Sequence, residues 1–548
     1  MIKIKFSEEN FIILREKNRK IKEINLGEFL NSKISYYKNK FKDQIDEFIK
    51  NLKKQKKNRI LELDKNFDFS ILNNFYEKNI WKNPEIIELL KCLALEDIIR
   101  QKKILKIDIK AKDKKIYFFL RNSFSKKKKI TTNFLNNNLE ISEGIRNFFT
   151  ILRTSYGFLK TTIFEIILKK NRLKFRRKNV LFITYSTIFN FKNKIEDFYW
   201  EKLNLKDYPN STKLIINSDD YSNKKKIDII NNSKKMKKNF EFLESYQNIK
   251  VLFKTFKIWL NLIFIFSKFT SNSKYNPFFK KYLMSSITGY SSLKNINLIY
   301  LLDYFFNKNN YKKVNYLFEN LTWEKALIKI LKNRSEILAY QHTSVRDWDF
   351  RYDPSYYDIS TFGQYFPNKI YANSLYSKNK LQKNFKQTKI FKSKNSRYSE
   401  KNLLSKKKKL FKNRLLVIGD IDMDETNDMI NIILNNVNDK FRVDLKLHPS
   451  NQNIKIQNKN LSLIYENLNK VIHKYKYILC SNSTTSIYEV LLRKKIPFVY
   501  QNKNNLNLCP VKKMKNINYI STKSNVKNMI FENYNNKFDF KKFKKFYV

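Results

Sequence analysis

The sequence predicts an α/β protein with two doubly wound domains in series behind a mostly helical amino-terminal region, and three observations support this. From about residue 178, short apolar runs alternate with stretches of helical spacing, the order that builds a parallel sheet covered by helices. After a Lys-, Asn- and Ser-rich segment at 376–413, the same alternation restarts. Apolar runs also stop abruptly at small or hydrogen-bonding residues, most clearly in Leu445-Lys-Leu-His448-Pro449-Ser450 and Leu479-Cys-Ser481-Asn-Ser483-Thr484-Thr485-Ser486-Ile-Tyr-Glu489. Strands end in this way where open α/β sheets form sites for phosphorylated ligands.

Residues 1–175 are expected to be mixed and mostly helical. Ile86 to Arg100 has helical spacing, and Ile104 to Leu120 alternates as a hairpin does. Met1 to Glu9 alternates like a strand and lacks the sustained apolar core of a signal peptide.

The first α/β domain is placed at 176–375. Its expected strands are the apolar runs Asn179 to Ser186 and Lys213 to Ser218, with Val314 to Phe318 and Glu336 to Gln341, and helical stretches at 251–269, 297–306 and Trp323 to Leu331. Residues 376–413 read as a basic connection. The second α/β domain, 414–548, has strands at Arg414 to Gly419, Arg442 to Leu447, Tyr477 to Cys480 and Ile496 to Tyr500. Helices are expected at Met429 to Val437, Leu468 to Tyr475 and Ser486 to Arg493, with right-handed crossovers.

With 548 residues, 42% hydrophobic and 15% aromatic, the chain can bury the cores of two or three domains. Cys92, Cys480 and Cys509 show neither metal-ligand spacing nor a paired framework, so a reducing compartment is expected. The apolar run Ile258 to Phe266 is too short for the roughly 20 residues that span a bilayer. A cytoplasmic protein, in peripheral contact with an anionic inner membrane, is the expectation.

The formal charge of +61 is discounted, because abundant Lys, Asn, Ile, Phe and Tyr with scarce Gly, Pro and Ala is what A/T-rich codons give. Basic clusters at Lys53 to Arg59, Lys126 to Lys129, Lys169 to Lys178 and Lys406 to Lys409 would still attract anionic lipid or nucleic acid, or else form a solvated surface. Nucleic-acid binding is not favoured, since it leaves polar residues gathered at strand ends unexplained.

Those strand ends supply the candidate site. His342 follows Tyr340-Gln341, Asp420 follows Ile418-Gly419, His448 follows Lys446-Leu447, and Ser481 to Thr485 follow Leu479-Cys480. All four fall at carboxyl ends, the edge of an open parallel sheet where ligands bind. His448 presents an imidazole to a nucleotide phosphate or is a buried histidine satisfied by a carbonyl, and Pro449 fixes its turn. Ser481, Ser483, Thr484 and Thr485 offer hydroxyls to phosphate oxygens. Ser486 with Glu489 has capping-box spacing, which leaves Glu489 either a capping carboxylate or a ribose acceptor. Gly419 permits close backbone approach, and Asp420 caps the next helix or faces the cleft. His342 is the preferred general base, with Asp347, Asp349 or Glu324 as substitutes. His473 reads as a surface residue.

Asn320-Leu-Thr-Trp323-Glu324-Lys-Ala, Ala339-Tyr-Gln341-His342-Thr343-Ser344, Phe366 to Asn373 and Phe198-Tyr199-Trp200-Glu-Lys-Leu together resemble a group of bacterial surface-carbohydrate biosynthesis proteins. His448-Pro449 and Ser483-Thr484 are distantly similar to the His-Pro and Ser-Ser/Thr motifs of bacterial sialyltransferases and capsule Kdo transferases. That resemblance implies the GT-B architecture, two Rossmann-like domains, with both motifs contacting the CMP part of the donor and Gln341 on the nucleotide-sugar side. The Asp/Glu-Asp/Glu-Gly motif that supplies the base in several sialyltransferases is absent, and Asp420-Ile-Asp422 is the nearest acidic segment.

The expected activity is therefore metal-independent, cofactor-free sugar transfer from a nucleotide-activated donor to a surface polysaccharide (O-antigen, lipopolysaccharide or capsule) or a lipid-linked glycan. The alternatives are a nucleic-acid-binding protein, a non-catalytic scaffold and a nucleotide-sugar epimerase.

Overall fold

The computed structural model describes residues 2–5, 11–15, 22–61, 63–64, 66–69, 72–101, 106–111, 114–124, 129–134, 143–168, 178–185, 189–190, 196–197, 199–217, 222–235, 240–269, 273–354, 365–395, 398, 410–436, 442–451, 460–521, 526 and 538–548. Of the basic clusters, Lys406 to Lys409 and most of Lys126 to Lys129 and Lys169 to Lys178 lie outside these residues, as does Phe198.

The amino-terminal region contains more strand than expected. β1 (Ile2–Lys5), β2 (Phe11–Arg15), β3 (Lys22–Asn25), β4 (Lys106–Ala111) and β5 (Lys129–Phe134) form a mixed sheet in the order β3-β1-β2-β4-β5. The hairpin expected at 104–120 is not there, because β4 pairs with β2 and β5 while Lys114–Phe124 is a helix. Ile116, Phe119, Leu120 and Phe124 bury at helical spacing, and that period prevails over the shorter alternation.

The first α/β sheet comprises β6 (Val180–Tyr185), β9 (Thr212–Ile216), β10 (Phe240–Phe242), β11 (Lys313–Phe318), β12 (Glu336–Gln341), β13 (Lys369–Ala372) and β14 (Lys389–Lys392), while β7 (Phe189–Asn190) and β8 (Glu196–Asp197) form a separate ribbon. All seven strands run parallel in the order β10-β9-β6-β11-β12-β13-β14. The segment expected as a connection thus carries the helix Leu375–Asn384 and the edge strand β14, both part of this domain. Their Lys- and Asn-rich surfaces bury only a few apolar contacts, such as Leu381 and Ile390, which left the sequence pattern weak.

The second α/β sheet, β15 (Phe411–Ile418), β16 (Arg442–Lys446), β17 (Leu461–Leu463), β18 (Tyr475–Ser481), β19 (Phe498–Tyr500) and β20 (Asn518–Ile520), is also all parallel, in the order β17-β16-β15-β18-β19-β20. The chain winds outward from β15 on one side and from β18 on the other. The two strands that meet at this reversal leave a crevice at their carboxyl ends, where Gly419-Asp420 and Ser481 to Thr485 follow. The fold is α/β with two doubly wound domains.

The amino-terminal region is not a detached module. One continuous core joins Tyr37, Phe48, Phe75 and Leu90 to Tyr282, Leu301, Val314 and Trp323 of the first α/β domain. The same region also grips the second domain. Gly27 sits so close to the 503–505 loop that a Cβ there would come within 2.4 Å of the Asn504 backbone, and Glu28 N donates to Lys503 O at 2.8 Å. Asn31 donates to Asn505 O and accepts from Asn507 N and from Trp348 Nε1, so one amide ties three parts of the chain. The closing helix, Phe540–Tyr547, returns from the second domain to stack Tyr547 on Tyr376 of the first.

Candidate functional site

A cleft of about 710 Å³ opens between the two α/β domains, over the reversal point of the second sheet. On the second-domain side it is lined by Gly419, His448, Pro449, Ser483, Thr484, Thr485 and Glu489, all anticipated from the sequence. All but Glu489, which lies on the helix Ser486–Leu492, are positioned by a strand end. Gly419 N donates to Lys446 O at 3.0 Å, and a Cβ on Gly419 would press on Thr426 at 3.1 Å, so glycine lets the following helix sit close. Asn451 closes the His-Pro turn through its N–H to His448 O, while its amide donates to Asp420 O and Ile421 O. The loops after β15 and β16 are thereby stitched together.

His448 is half-buried, and its Nδ1 accepts from Ser450 N at 3.2 Å. A backbone N–H only donates, so the neutral imidazole carries its proton on Nε2, the form that donates to an anion. Ser483 Oγ donates to Asp420 Oδ2 at 2.6 Å, and Asp420 Oδ1 accepts from Asp422 N. Asp420 therefore orients Ser483 rather than capping a helix. The cap of Met423–Leu434 is Asp422, which accepts from Asp424 N.

The capping box expected at Ser486 and Glu489 does not form. Thr485 occupies the cap position with helical backbone angles, and Thr484 Oγ1 takes the Ser486 N–H. Ser481 is fully buried at the end of β18 and does not line the cleft. His473, expected on the surface, is half-buried in a 3-10 turn.

The other residues singled out in the first domain sit away from the cleft lining. His342 is half-buried with Nε2 2.8 Å from Glu319 Oε1, its ring T-shaped to Tyr199. Glu319 also binds Arg351 Nη1 at 2.6 Å, and Arg351 holds Asp349 through two bonds of 3.0 and 2.9 Å. Burial opposes the Glu319 charge, but His342, Arg351 and Lys82 together hold its carboxyl well below the usual range. Glu324 is buried beneath, accepting from Glu319 N and Asn320 N, and burial pushes its carboxyl well up. Gln341 is spent on Thr343 O, Ser377 and Asn373 N. Asp347 faces a separate lysine-lined cavity, paired with Lys380 at 3.3 Å. A strand's carboxyl end was the right place to look in both domains. In the first, however, Glu319, Tyr185 and Tyr199 of the same domain pack over it.

What the first domain does present is arginine. Arg346 and Arg351 line the cleft with Thr343 and Ser344, and Trp81 lies under both guanidiniums at 4.8 and 5.3 Å. Arg346 is nine-tenths buried, and its Nη2 donates to Ser483 O at 2.5 Å across the domain boundary. Its Nε has no partner among the described residues, and no carboxylate there lies within ion-pair distance. Burial pulls its pKa down, a sign of a cation held without full compensation. Its sequence signal was only a polar stretch after an apolar strand, and Trp81, 265 positions earlier, gave none.

Behind the second-domain wall, burial and then Asp420 push the carboxyl of Glu425 up to about 8, with Asn505 as its hydrogen-bond donor. A group whose pKa rises on folding contributes stability below its unfolded pKa and loses it as pH climbs toward the folded value. Glu425→Gln is therefore expected to raise stability near pH 8, on the order of 3 kcal/mol, and to change little at pH 4. Urea denaturation at the two pH values checks this.

Among the described residues no cluster of three or more His, Cys, Asp or Glu is arranged to hold a metal ion, and no helix is long and apolar enough to cross a membrane. Neither a protein-family model nor a curated protein matches the chain. Solved structures with some likeness include UDP-GlcNAc 2-epimerase from Methanocaldococcus jannaschii, in complex with UDP-GlcNAc and UDP, at 10% identity and TM-score 0.38, covering 64% of this chain and 91% of that one. A putative UDP-N-acetylglucosamine 2-epimerase from Listeria monocytogenes follows at 12% identity and TM-score 0.38, covering 65% and 89%. An Anabaena protein in complex with UDP and glucose gives 10% identity and TM-score 0.35, covering 64% and 88%. Likenesses this slight decide neither fold nor chemistry, which are read from the chain's own sheets and side chains.

Proposed function

We propose that the chain is a glycosyltransferase that binds a nucleotide-activated sugar in the interdomain cleft and passes the sugar to a surface polysaccharide or lipid-linked glycan. The observation that supports this most is Arg346, a buried guanidinium in the cleft lining, beside His448 and the Ser483 to Thr485 loop at the reversal point of a doubly wound sheet. Burying an incompletely compensated charge costs free energy, and an anion in the cleft would offset it.

When the acceptor hydroxyl oxygen bonds to the sugar's anomeric carbon, the bond from that carbon to the donor phosphate oxygen breaks, its electron pair stays on phosphate, and the hydroxyl proton passes to water. Arg346, the His448 Nε2–H and the Thr484 hydroxyl are placed to stabilise that growing charge, while the Ser483 hydroxyl is held by Asp420. Glu489, on the helix that follows the loop, is assigned to the ribose hydroxyls. His342 does not act as the base from its position, and its role is to hold Glu319 and through it Arg351.

Thermal denaturation with CMP-, UDP- and GDP-linked sugars tests this reading. A donor at 100 times its dissociation constant adds about 2.7 kcal/mol, which His448→Ala should largely remove. Stabilisation by RNA or DNA alone would overturn the reading. A rearranged sugar nucleotide formed without acceptor would identify an epimerase instead.

A further inference from the structure

The helix Glu143–Leu168 is amphipathic the wrong way round for a soluble surface. Its inward face carries Thr154, Thr162 and Glu165 with Phe158, all buried, and the Thr162 hydroxyl bonds back to Phe158 O. Its outward face carries Phe148, Phe149, Leu152, Tyr156, Leu159 and Ile163, each between 39 and 71% exposed. These positions recur at the three- and four-residue spacing of a single helical stripe.

The helix touches a second one, Ile249–Ser267, through the rings of Phe158 and Phe256 at 5.5 Å. That helix exposes Ile249, Phe253, Leu260 and Phe264 at 48 to 73%. Ten large apolar side chains on two touching helices exceed what monomeric soluble proteins leave open to water without a partner.

Charge complementarity identifies the partner. Arg146, Arg153 and Lys160, spaced seven apart and exposed, run along one edge of the stripe, and Lys250 and Lys257 are exposed on the second helix. The ten residues that follow Leu168 in the sequence include seven Lys or Arg and no acid. Apolar rings flanked by long cationic stems match the interface of an anionic bilayer, where rings enter the acyl boundary and cations stay among the head groups.

We infer that the two-helix face of Glu143–Leu168 and Ile249–Ser267 docks the protein flat on an anionic lipid bilayer. At 1.5 Å per residue the first helix would lie along about 39 Å of membrane. The inference is independent of the cleft, since none of these side chains lines it.

Sedimentation of the full chain with phosphatidylcholine vesicles, with and without about 30% phosphatidylglycerol, tests the assignment. Wild type is expected to pellet with the anionic vesicles. Phe149→Glu with Tyr156→Glu should lower that binding at least about tenfold, and Arg153→Gln with Lys160→Gln should lower it mainly at low salt. All these residues are exposed, so melting temperatures should stay at the wild-type value, confirming folded variants. Wild type left in the supernatant, or equal binding by the glutamate variant, would overturn the inference. So would a wild-type dimer that the glutamate variant dissociates while vesicles fail to bind, because the face would then belong to a second copy.

Discussion

Arg346→Met is expected to weaken donor binding about a hundredfold while leaving the ligand-free protein as stable as wild type or more so. The two effects separate because they have different origins. In the free protein the guanidinium is buried with Ser483 O, the Trp81 face and the more distant Asp349 carboxylate as partial compensation, so an apolar side chain of similar length gives up about one hydrogen bond and relieves a desolvation cost of larger size. In the complex the same guanidinium would meet a phosphate, and truncating one partner of a buried charge pair costs about 3 kcal/mol, or two orders of magnitude in affinity. Calorimetric titration with the preferred donor, alongside a melting curve, reads both. A variant that loses stability but binds donor normally would make Arg346 a structural link between domains and nothing more.

Glu319→Ala is expected to destabilise the fold by about 3–5 kcal/mol, because it strips a buried carboxylate from Arg351 and His342 together. The loss should itself depend on pH. A carboxyl held below its ordinary value contributes stability above its unfolded pKa, near 4.5, and that contribution fades as pH falls below it. Wild type and Glu319→Ala should therefore differ most at neutral pH and converge in acid, which chemical denaturation at pH 7 and pH 3 resolves. Glu324→Gln offers the contrast: burial already favours the uncharged acid, so the amide should change stability at neutral pH by less than about 1 kcal/mol. A large loss there would mean that Glu324 carries charge.

The residues that were legible in the sequence are those whose role is set by neighbours a few positions away. A strand such as Leu415 to Ile418 announces itself by burial on both faces, and Gly419, His448 and Ser483 mark where it and its neighbours stop. The winding order then follows from connection rules, which put these loops on one edge of the sheet. The first domain misled for a long-range reason. His342 also ends a strand, but whether it faces solvent depends on Glu319 and on Tyr185 and Tyr199, residues that local periodicity does not bring together. Arg346 becomes a candidate only because the loop carrying Trp81 folds under it and Ser483 arrives from the other domain. The amino-terminal strands were lost in a lysine-rich alternation, as in Lys3, Lys5, Lys106 and Lys110, where codon bias obscures the period of a strand.

The central claim is that one anionic leaving group sits between Arg346, His448 and the Ser483 to Thr485 loop. The most direct test is a crystal structure of the protein with a nucleoside mono- or diphosphate, CMP and UDP first. Phosphate oxygens within hydrogen-bond distance, about 2.7–3.1 Å, of the Arg346 guanidinium and of His448 Nε2 are predicted. Nucleotide bound elsewhere, as in the lysine-lined cavity beside Asp347, with the interdomain cleft empty, would contradict it.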